Sequence, residues 1–146
     1  MKLSTKSQYG VRLMLALAQN FGRGYTYLKE IAKGEGMSEK YLSLITIPLK
    51  GAGLINAGRG ARGGYSLARP PSEITIKDVV DALEGDSCLV DCVKDITACP
   101  RVPICASRDI WVFLGGKIAE TLNSFTLEQL LRMNREKAEN VQMHDI

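Results

Sequence analysis

Four cysteines are the residues of this sequence best suited to metal or redox chemistry. They occupy positions 88, 92, 99 and 105, with three, six and five residues between neighbours. These spacings match neither the close Cys-x-x-Cys pairs of structural zinc sites nor the cysteine runs of ferredoxins. Thiolates on a polar, proline-containing loop suit a soft metal or an iron–sulfur cluster. A zinc site, a thiol redox switch and unconnected thiols remain alternatives.

A second group of candidates lies in a glycine-rich basic loop. Arg59 and Arg62 fall within residues 57–64, which contain four glycines and no acidic residue. Short segments at residues 54–55 and 65–67 flank the loop, so a β-hairpin is predicted. Arginines on such a hairpin can reach DNA phosphates or a narrow minor groove. The alternative is a hairpin whose basic loop is only solvated.

The segment before this loop predicts a helix with one buried and one exposed face. Ser38 can cap its first turn, because a serine oxygen accepts hydrogen bonds from the free amides there. Residues 42, 45 and 49 are apolar and share one face at helical spacing. Pro48 lacks an amide donor, so the helix is expected to bend or loosen at residues 46–47. The residues of this helix that are candidates for contact with DNA are Ser38, Lys40, Tyr41 and Ser43. For Lys40 the alternative to a base contact is a phosphate contact. For Tyr41 the alternative to a DNA contact is a structural role.

The elements around this helix predict a winged helix-turn-helix. A short helix is expected over residues 27–33, with a glycine-containing turn at residues 34–36 before Ser38. Two helices joined by such a turn form a helix-turn-helix, whose second helix enters the major groove of DNA. The predicted fold is therefore mainly α, with a small β-hairpin wing and a long dimerisation helix.

The charge distribution favours the same function. Residues 1–69 contain 11 Lys and Arg against 3 Asp and Glu, a balance of +8, whereas residues 70–146 contain 8 against 13, a balance of −5. A basic half beside an acidic half indicates nucleic-acid binding by the basic half, because DNA phosphates supply most of the non-specific attraction.

The acidic half predicts a dimerisation element. Helical periodicity resumes over residues 108–124 after the polar cysteine loop. The apolar stripe of this helix comprises Ile110, Trp111, Leu114, Ile118 and Leu122. We expect the stripe to pair with the same helix of a second copy, because winged-helix readers usually bind two half-sites around a two-fold axis. Internal packing is the alternative.

These elements suggest four regions along the chain. Residues 1–69 are expected to form the winged helix-turn-helix that binds DNA, and residues 70–85 a linker with a short helix. Residues 86–105 are expected to form the cysteine loop, and residues 106–146 the dimerisation helix and a C-terminal helix. The last helix is expected to run from Thr126 to about residue 139, with a loose tail after it.

Several protein classes are not expected. The longest uninterrupted apolar run of the first helix, residues 13–18, is too short to cross a bilayer, and no export signal is recognised. A cytoplasmic location without a disulfide framework is therefore expected. Neither a nucleotide-binding loop nor an acid–base pair is recognised, so an enzyme is not expected.

The sequence resembles the IscR-type family of winged-helix regulators over residues 1 to about 139. The segments that carry the resemblance are MKLSTKSQYGVRLMLALA, SEKYLSLITIPLKGAGLI, GRGARGGYSLARPPSEITIKDVVDALEG and the loop cysteines. The resemblance implies a homodimeric transcription factor whose long helix crosses to its partner. It also implies a [2Fe–2S] cluster on Cys92, Cys99 and Cys105, with control of genes for cluster assembly.

The sequence departs from that branch of the family in two ways, and the first is that the spacing between Cys92 and Cys99 is longer by one residue. Arg108 stands where the branch has a histidine, and arginine is a poor metal ligand because it stays protonated. Gln8 stands where nitric-oxide-sensing relatives have an acid. The fourth ligand is left open, the candidates being Cys88, Asp91, Asp95, Asp109 and an exogenous molecule. A cofactor-free regulator that responds to thiol redox state, a small molecule or a protein partner is the alternative.

Overall fold

The first helices and the hairpin follow each other in the predicted order. The computed structural model describes residues 2–60, 63–85 and 89–144. The helices are α1 (Thr5–Gln19), α2 (Leu28–Glu35), α3 (Glu39–Gly51), α4 (Ile76–Glu84), α5 (Asp91–Lys94), α6 (Ala106–Ser124) and α7 (Leu127–His144). The strands are β1 (Ile55–Ala57) and β2 (Tyr65–Leu67), and 3₁₀ turns occur at Pro71–Glu73 and Val102–Ile104. Mainly helical structure with a two-stranded hairpin confirms the predicted fold class.

One apolar core joins the beginning of the chain to its last helix. Leu13 of α1, Leu42 of α3, Val79 of α4 and Leu127 of α7 are fully buried within the same cluster. Burial of such side chains contributes about 1.5–3 kcal/mol each. The start of α7 therefore packs with the N-terminal helices, and the division of the chain into four regions remains a prediction.

The hairpin is antiparallel and tightly connected to the helices. Ile55 pairs with Leu67 and Ala57 with Tyr65, and an isolated bridge joins Thr26 to Tyr65. Gly64 has φ +110°, and a Cβ there would lie 3.0 Å from the Cβ of Tyr25. Only glycine meets both conditions without strain.

Several boundaries differ from those expected. Helix α7 continues to His144, so the expectation of a loose tail from residue 140 was wrong for residues 140–144. Helix α3 includes Pro48, and the expected bend or loosening at residues 46–47 stays a prediction. No glycine or proline follows Thr126, so no local signal stops α7. The cysteine loop also contains α5 and a 3₁₀ turn. Among the described residues no helix is long and apolar enough to span a membrane.

Candidate nucleic-acid interface and cysteine loop

Helix α3 presents one face to the core and another to solvent. Leu42, Ile45 and Leu49 are fully buried, whereas Lys40 and Ser43 are exposed. The buried residues fix the rotation of the helix, because turning it would expose all three. The predicted contact residues Lys40 and Ser43 therefore lie on the accessible side.

Ser38 and Ser43 both use their hydroxyl groups within the helix. The Oγ of Ser38 accepts a hydrogen bond from the backbone amide of Tyr41 at 3.2 Å, which is the predicted N-cap. The Oγ of Ser43 donates to the carbonyl of Lys40 at 2.7 Å. Each oxygen retains lone-pair capacity for a further bond, so their predicted roles at DNA remain open predictions.

Tyr41 is a packing residue in this structure. Its half-buried ring meets the ring of Tyr9 edge-on, with 5.6 Å between centroids. The guanidinium of Arg12 lies 5.7 Å from the Tyr9 ring, and its Nη2 donates to Glu35 Oε2 at 2.8 Å and to Glu35 O at 2.7 Å. These contacts join α1, α2 and α3 at the start of the recognition helix. The structural alternative for Tyr41 gains support, and its DNA contact remains a prediction.

Two apolar residues of α3 are accessible. Leu44 is 57% exposed and Ile47 is 67% exposed. The spacing of the buried face predicts that Leu44 points away from the core, and its exposure confirms this. Ile47 was missed, because isoleucine is usually assigned to cores by type; the same helical period could have placed it.

The wing carries one arginine that can be located. Arg59 is exposed, whereas Arg62 lies outside the described residues. The amide of Gly58 donates to the carbonyl of Gly64 at 2.8 Å, which closes the base of the loop. The hydroxyl groups of Thr46 and Tyr65 lie 3.3 Å apart and connect α3 to strand β2. These contacts hold strand β2 and the base of the wing beside α3.

The three predicted cluster ligands are free and partly exposed. Cys92 lies on α5, Cys99 in the following loop, and Cys105 directly before α6. Within residues 2–60, 63–85 and 89–144, no three His, Cys, Asp or Glu side chains converge to hold a metal ion. Three thiols are suitable donors for an iron–sulfur cluster. The donor set therefore fits the cluster in its chemistry.

Hydrogen bonds occupy some of the other ligand candidates. Asp95 accepts from the amide and the hydroxyl of Thr97 at 2.9 and 2.7 Å, bonds that lower the pKa of its carboxyl group. Asp91 and Asp109 are exposed, and Cys88 lies outside the described residues. The fourth ligand remains unassigned.

Arg108 joins the cysteine loop to α6. Its Nε donates to the backbone carbonyl of Cys92 at 3.0 Å. Next to it, the Sγ of Cys105 lies 3.1 Å from the Oγ of Ser107. The hydrogen bond from Ser107, followed by the backbone amide of Arg108, lowers the pKa of the Cys105 thiol. Both contacts connect the loop to the first turn of α6.

Helix α6 has an unusually exposed apolar surface. None of its described residues is buried. Ile110 is 59% and Trp111 39% exposed, and Leu114, Ile118 and Leu122 are half-buried. Val112 and Phe113, which the predicted stripe omits, are 42% and 66% exposed. Large apolar side chains exposed together on one helix indicate an interaction site.

Comparison with known proteins identifies relatives along most of the chain. A sequence model of the Rrf2 family, described as an iron-dependent transcriptional regulator, matches residues 3–133. Protein rrf2 of Nitratidesulfovibrio vulgaris is 39% identical over 132 residues, which cover 90% of this chain and 88% of that protein. The transcriptional regulator CymR of Bacillus subtilis is 41% identical over 130 residues, 89% of each protein.

Solved structures agree with this relationship. The structure of CymR, the global cysteine regulator of B. subtilis, has a TM-score of 0.75 at 39% identity and covers 91% of this chain and 98% of that one. The structure of IscR from T. potens has a TM-score of 0.75 at 38% identity, and the match covers 94% of this chain and 90% of that one. The predicted IscR-type relationship and the winged-helix fold are thereby confirmed. The chain belongs to the Rrf2 family, whose members are transcriptional regulators and not enzymes.

Proposed function

We propose that this chain is a homodimeric regulator whose operator binding depends on a [2Fe–2S] cluster, and that it controls genes of iron–sulfur cluster assembly or related genes. Three parts of the molecule carry this function: the surface of α3 with the wing, helix α6, and the cysteine loop. Each part contributes separate support.

The DNA-binding surface combines shape and charge. The exposed side of α3 offers Ser38, Lys40 and Ser43 to the major groove, and the wing offers Arg59 to the backbone or minor groove. Arg62 retains its predicted role as the second wing arginine. Few acidic residues occur in this half of the chain, so phosphate attraction is little opposed.

The partner expected at α6 is a second copy of the chain. Ile110, Trp111 and Phe113 present large apolar side chains that a monomer leaves in water. Two copies related by a two-fold axis would cover them and would place two recognition helices on two half-sites. The resemblance to the IscR-type family, which implies a homodimer, favours this partner over other proteins.

The cluster would be held by Cys92, Cys99 and Cys105. When bound, it would supply an iron- and oxidant-sensitive group. The observation that carries the proposal is the position of Cys105 directly before α6, together with the bond from Arg108 to Cys92. A change at the thiols therefore acts on the start of the helix expected to join the protomers.

Purification without oxygen tests the cluster. Visible absorbance, iron and sulfide should be present in the unmodified protein and in Ile96→Ala, which removes a 67%-exposed loop side chain that is not a ligand candidate. They should be absent from a variant with alanine at residues 92, 99 and 105. Iron-free, colourless unmodified protein, even after reconstitution with iron and sulfide, would refute the cluster proposal and leave DNA binding intact.

A second candidate is a cofactor-free thiol switch. The cysteines are free and partly accessible, as oxidation requires. The structure of Staphylococcus aureus CymR in an oxidized form is 37% identical, with a TM-score of 0.70 over 90% of this chain. Mass spectrometry after peroxide treatment of the iron-free protein tests this candidate. A defined sulfenic acid or disulfide, with altered operator affinity, would favour it, and unmodified thiols would exclude it.

A further inference from the structure

The accessible face of α3 is partly apolar, which distinguishes it from a simple phosphate-binding surface. Lys40, Ser43, Leu44 and Ile47 follow one another at helical spacing on this face, and all four are exposed. Leu44 and Ile47 expose 57% and 67% of their surface, so they contribute little to the core.

Charge around the two residues indicates what covers them. Lys40 lies one turn before Leu44, and Lys50 lies one turn after Ile47. Glu39 is the only acidic residue of the helix. A polyanion therefore suits the surroundings of this apolar pair better than an acidic or neutral protein surface does.

The chemistry of the side chains limits what they can read. Neither leucine nor isoleucine donates or accepts a hydrogen bond, so both discriminate bases by apolar contact. In the major groove, thymine is the base that presents a methyl group. A cytosine amine or a guanine oxygen against the same side chain would lose its water without gaining a partner.

We propose that Leu44 and Ile47 are specificity-determining residues that contact thymine methyl groups in the major groove of the operator. This inference rests on the proposed DNA-binding function and does not depend on the cluster. Lys40 contributes a phosphate contact beside them, which strengthens binding without selecting a sequence.

The test compares DNA duplexes that differ by a single methyl group. An operator is first selected from random duplex DNA, with both iron-loaded and iron-free protein. Each thymine of one half-site is then replaced in turn by uracil, which lacks only the C5 methyl. Affinity is measured by fluorescence anisotropy for the unmodified protein, Leu44→Ala and Ile47→Ala. Met143→Ala, which removes a 73%-exposed side chain from the far end of α7, is the control.

At one or more positions, uracil should weaken binding of the unmodified protein and of Met143→Ala about fourfold, the effect of burying one methyl group. The same replacement should change binding by Leu44→Ala or Ile47→Ala less than twofold. Thermal unfolding should be unchanged in both variants, because the side chains are exposed.

This inference would be overturned if the protein bound its operator tightly and no uracil replacement changed its affinity. The proposed DNA-binding function would be unaffected by that result. The inference would also be overturned if both alanine variants kept the full preference for thymine over uracil. The apolar pair would then be assigned to another partner. Failure of the unmodified protein to select any operator, in either iron state, would overturn both proposals.

Discussion

Replacing Glu84 with glutamine should destabilise the protein at neutral pH and much less in acid. One carboxylate oxygen of Glu84, the last residue of α4, accepts three hydrogen bonds from the start of α1. The donors are the hydroxyl groups of Ser4 and Ser7, both at 2.6 Å, and the amide of Ser4 at 3.0 Å. Ser7 is only 1% exposed, so water cannot replace its acceptor. This contact joins the start of α1 to Glu84, which ends α4 shortly before the cysteine loop.

The expected magnitude follows from the nature of these bonds. A hydrogen bond to a charged group contributes about 1.5–3 kcal/mol when buried. Glu84 is half-buried and a glutamine oxygen still accepts, so solvent screening and partial replacement reduce the loss. The free energy of unfolding should fall by about 1–2 kcal/mol, and Tm by about 3–6 °C for a chain of this length.

The pH dependence has a definite sign. Hydrogen bonds from Ser4 and Ser7 lower the pKa of Glu84 from its ordinary value of 4.5. A lowered folded-state pKa means that the stabilisation is complete above 4.5 and is lost as pH falls through the folded-state value. The difference between the unmodified protein and Glu84→Gln should therefore shrink on acidification.

Urea unfolding followed by circular dichroism, from about pH 7 to about pH 3.5, measures this difference. Protein concentration is held constant, because the proposed dimerisation would affect stability. Glu120→Gln is the matched control, since the Glu120 side chain is 72% exposed on α6. It should change stability by less than about 0.5 kcal/mol. A Glu84→Gln loss equal to that of the control, or one that grows in acid, would refute the role of this contact.

Three further predictions concern the DNA and dimer surfaces. Arg59→Ala should weaken operator binding by about 1–3 kcal/mol and flatten its salt dependence; unchanged affinity in anisotropy titrations would reject the wing assignment. Ile110→Asp should shift the protein to monomer in sedimentation velocity, because it puts a charge into the exposed apolar stripe of α6, and a dimer of unchanged stability would exclude this stripe as the interface. Tyr41→Phe should retain stability and operator affinity, whereas Tyr41→Ala should lower Tm through loss of the Tyr9 contact. A tenfold affinity loss in Tyr41→Phe would instead assign its hydroxyl to DNA.

The local part of the fold was predictable from the sequence, because its signals are local. Ser38 begins α3 as its cap, and Leu42 and Ile45 share the buried face that their spacing predicts. Glycines around Arg59 predicted the hairpin loop, since several of them adopt positive φ.

Other features depend on contacts distant in sequence and could not be predicted. The packing of Tyr41 on Tyr9 requires the relative position of α1 and α3. Arg108 was recognised as a poor ligand, but its bond to the Cys92 carbonyl depends on how α5 folds back on α6. Ile47 was overlooked because residue type competed with helical period, whereas the period alone placed Leu44 away from the core.

The central claim is that the state of the cysteine loop changes DNA binding. It is tested most directly by measuring operator affinity of one anaerobic preparation before and after removal of its iron. For the unmodified protein the dissociation constant should change by at least about fivefold, the lower range of typical allosteric coupling. The variant with alanine at residues 92, 99 and 105 should show a single affinity under both conditions. Equal affinity of the iron-loaded and iron-free unmodified protein would contradict the account.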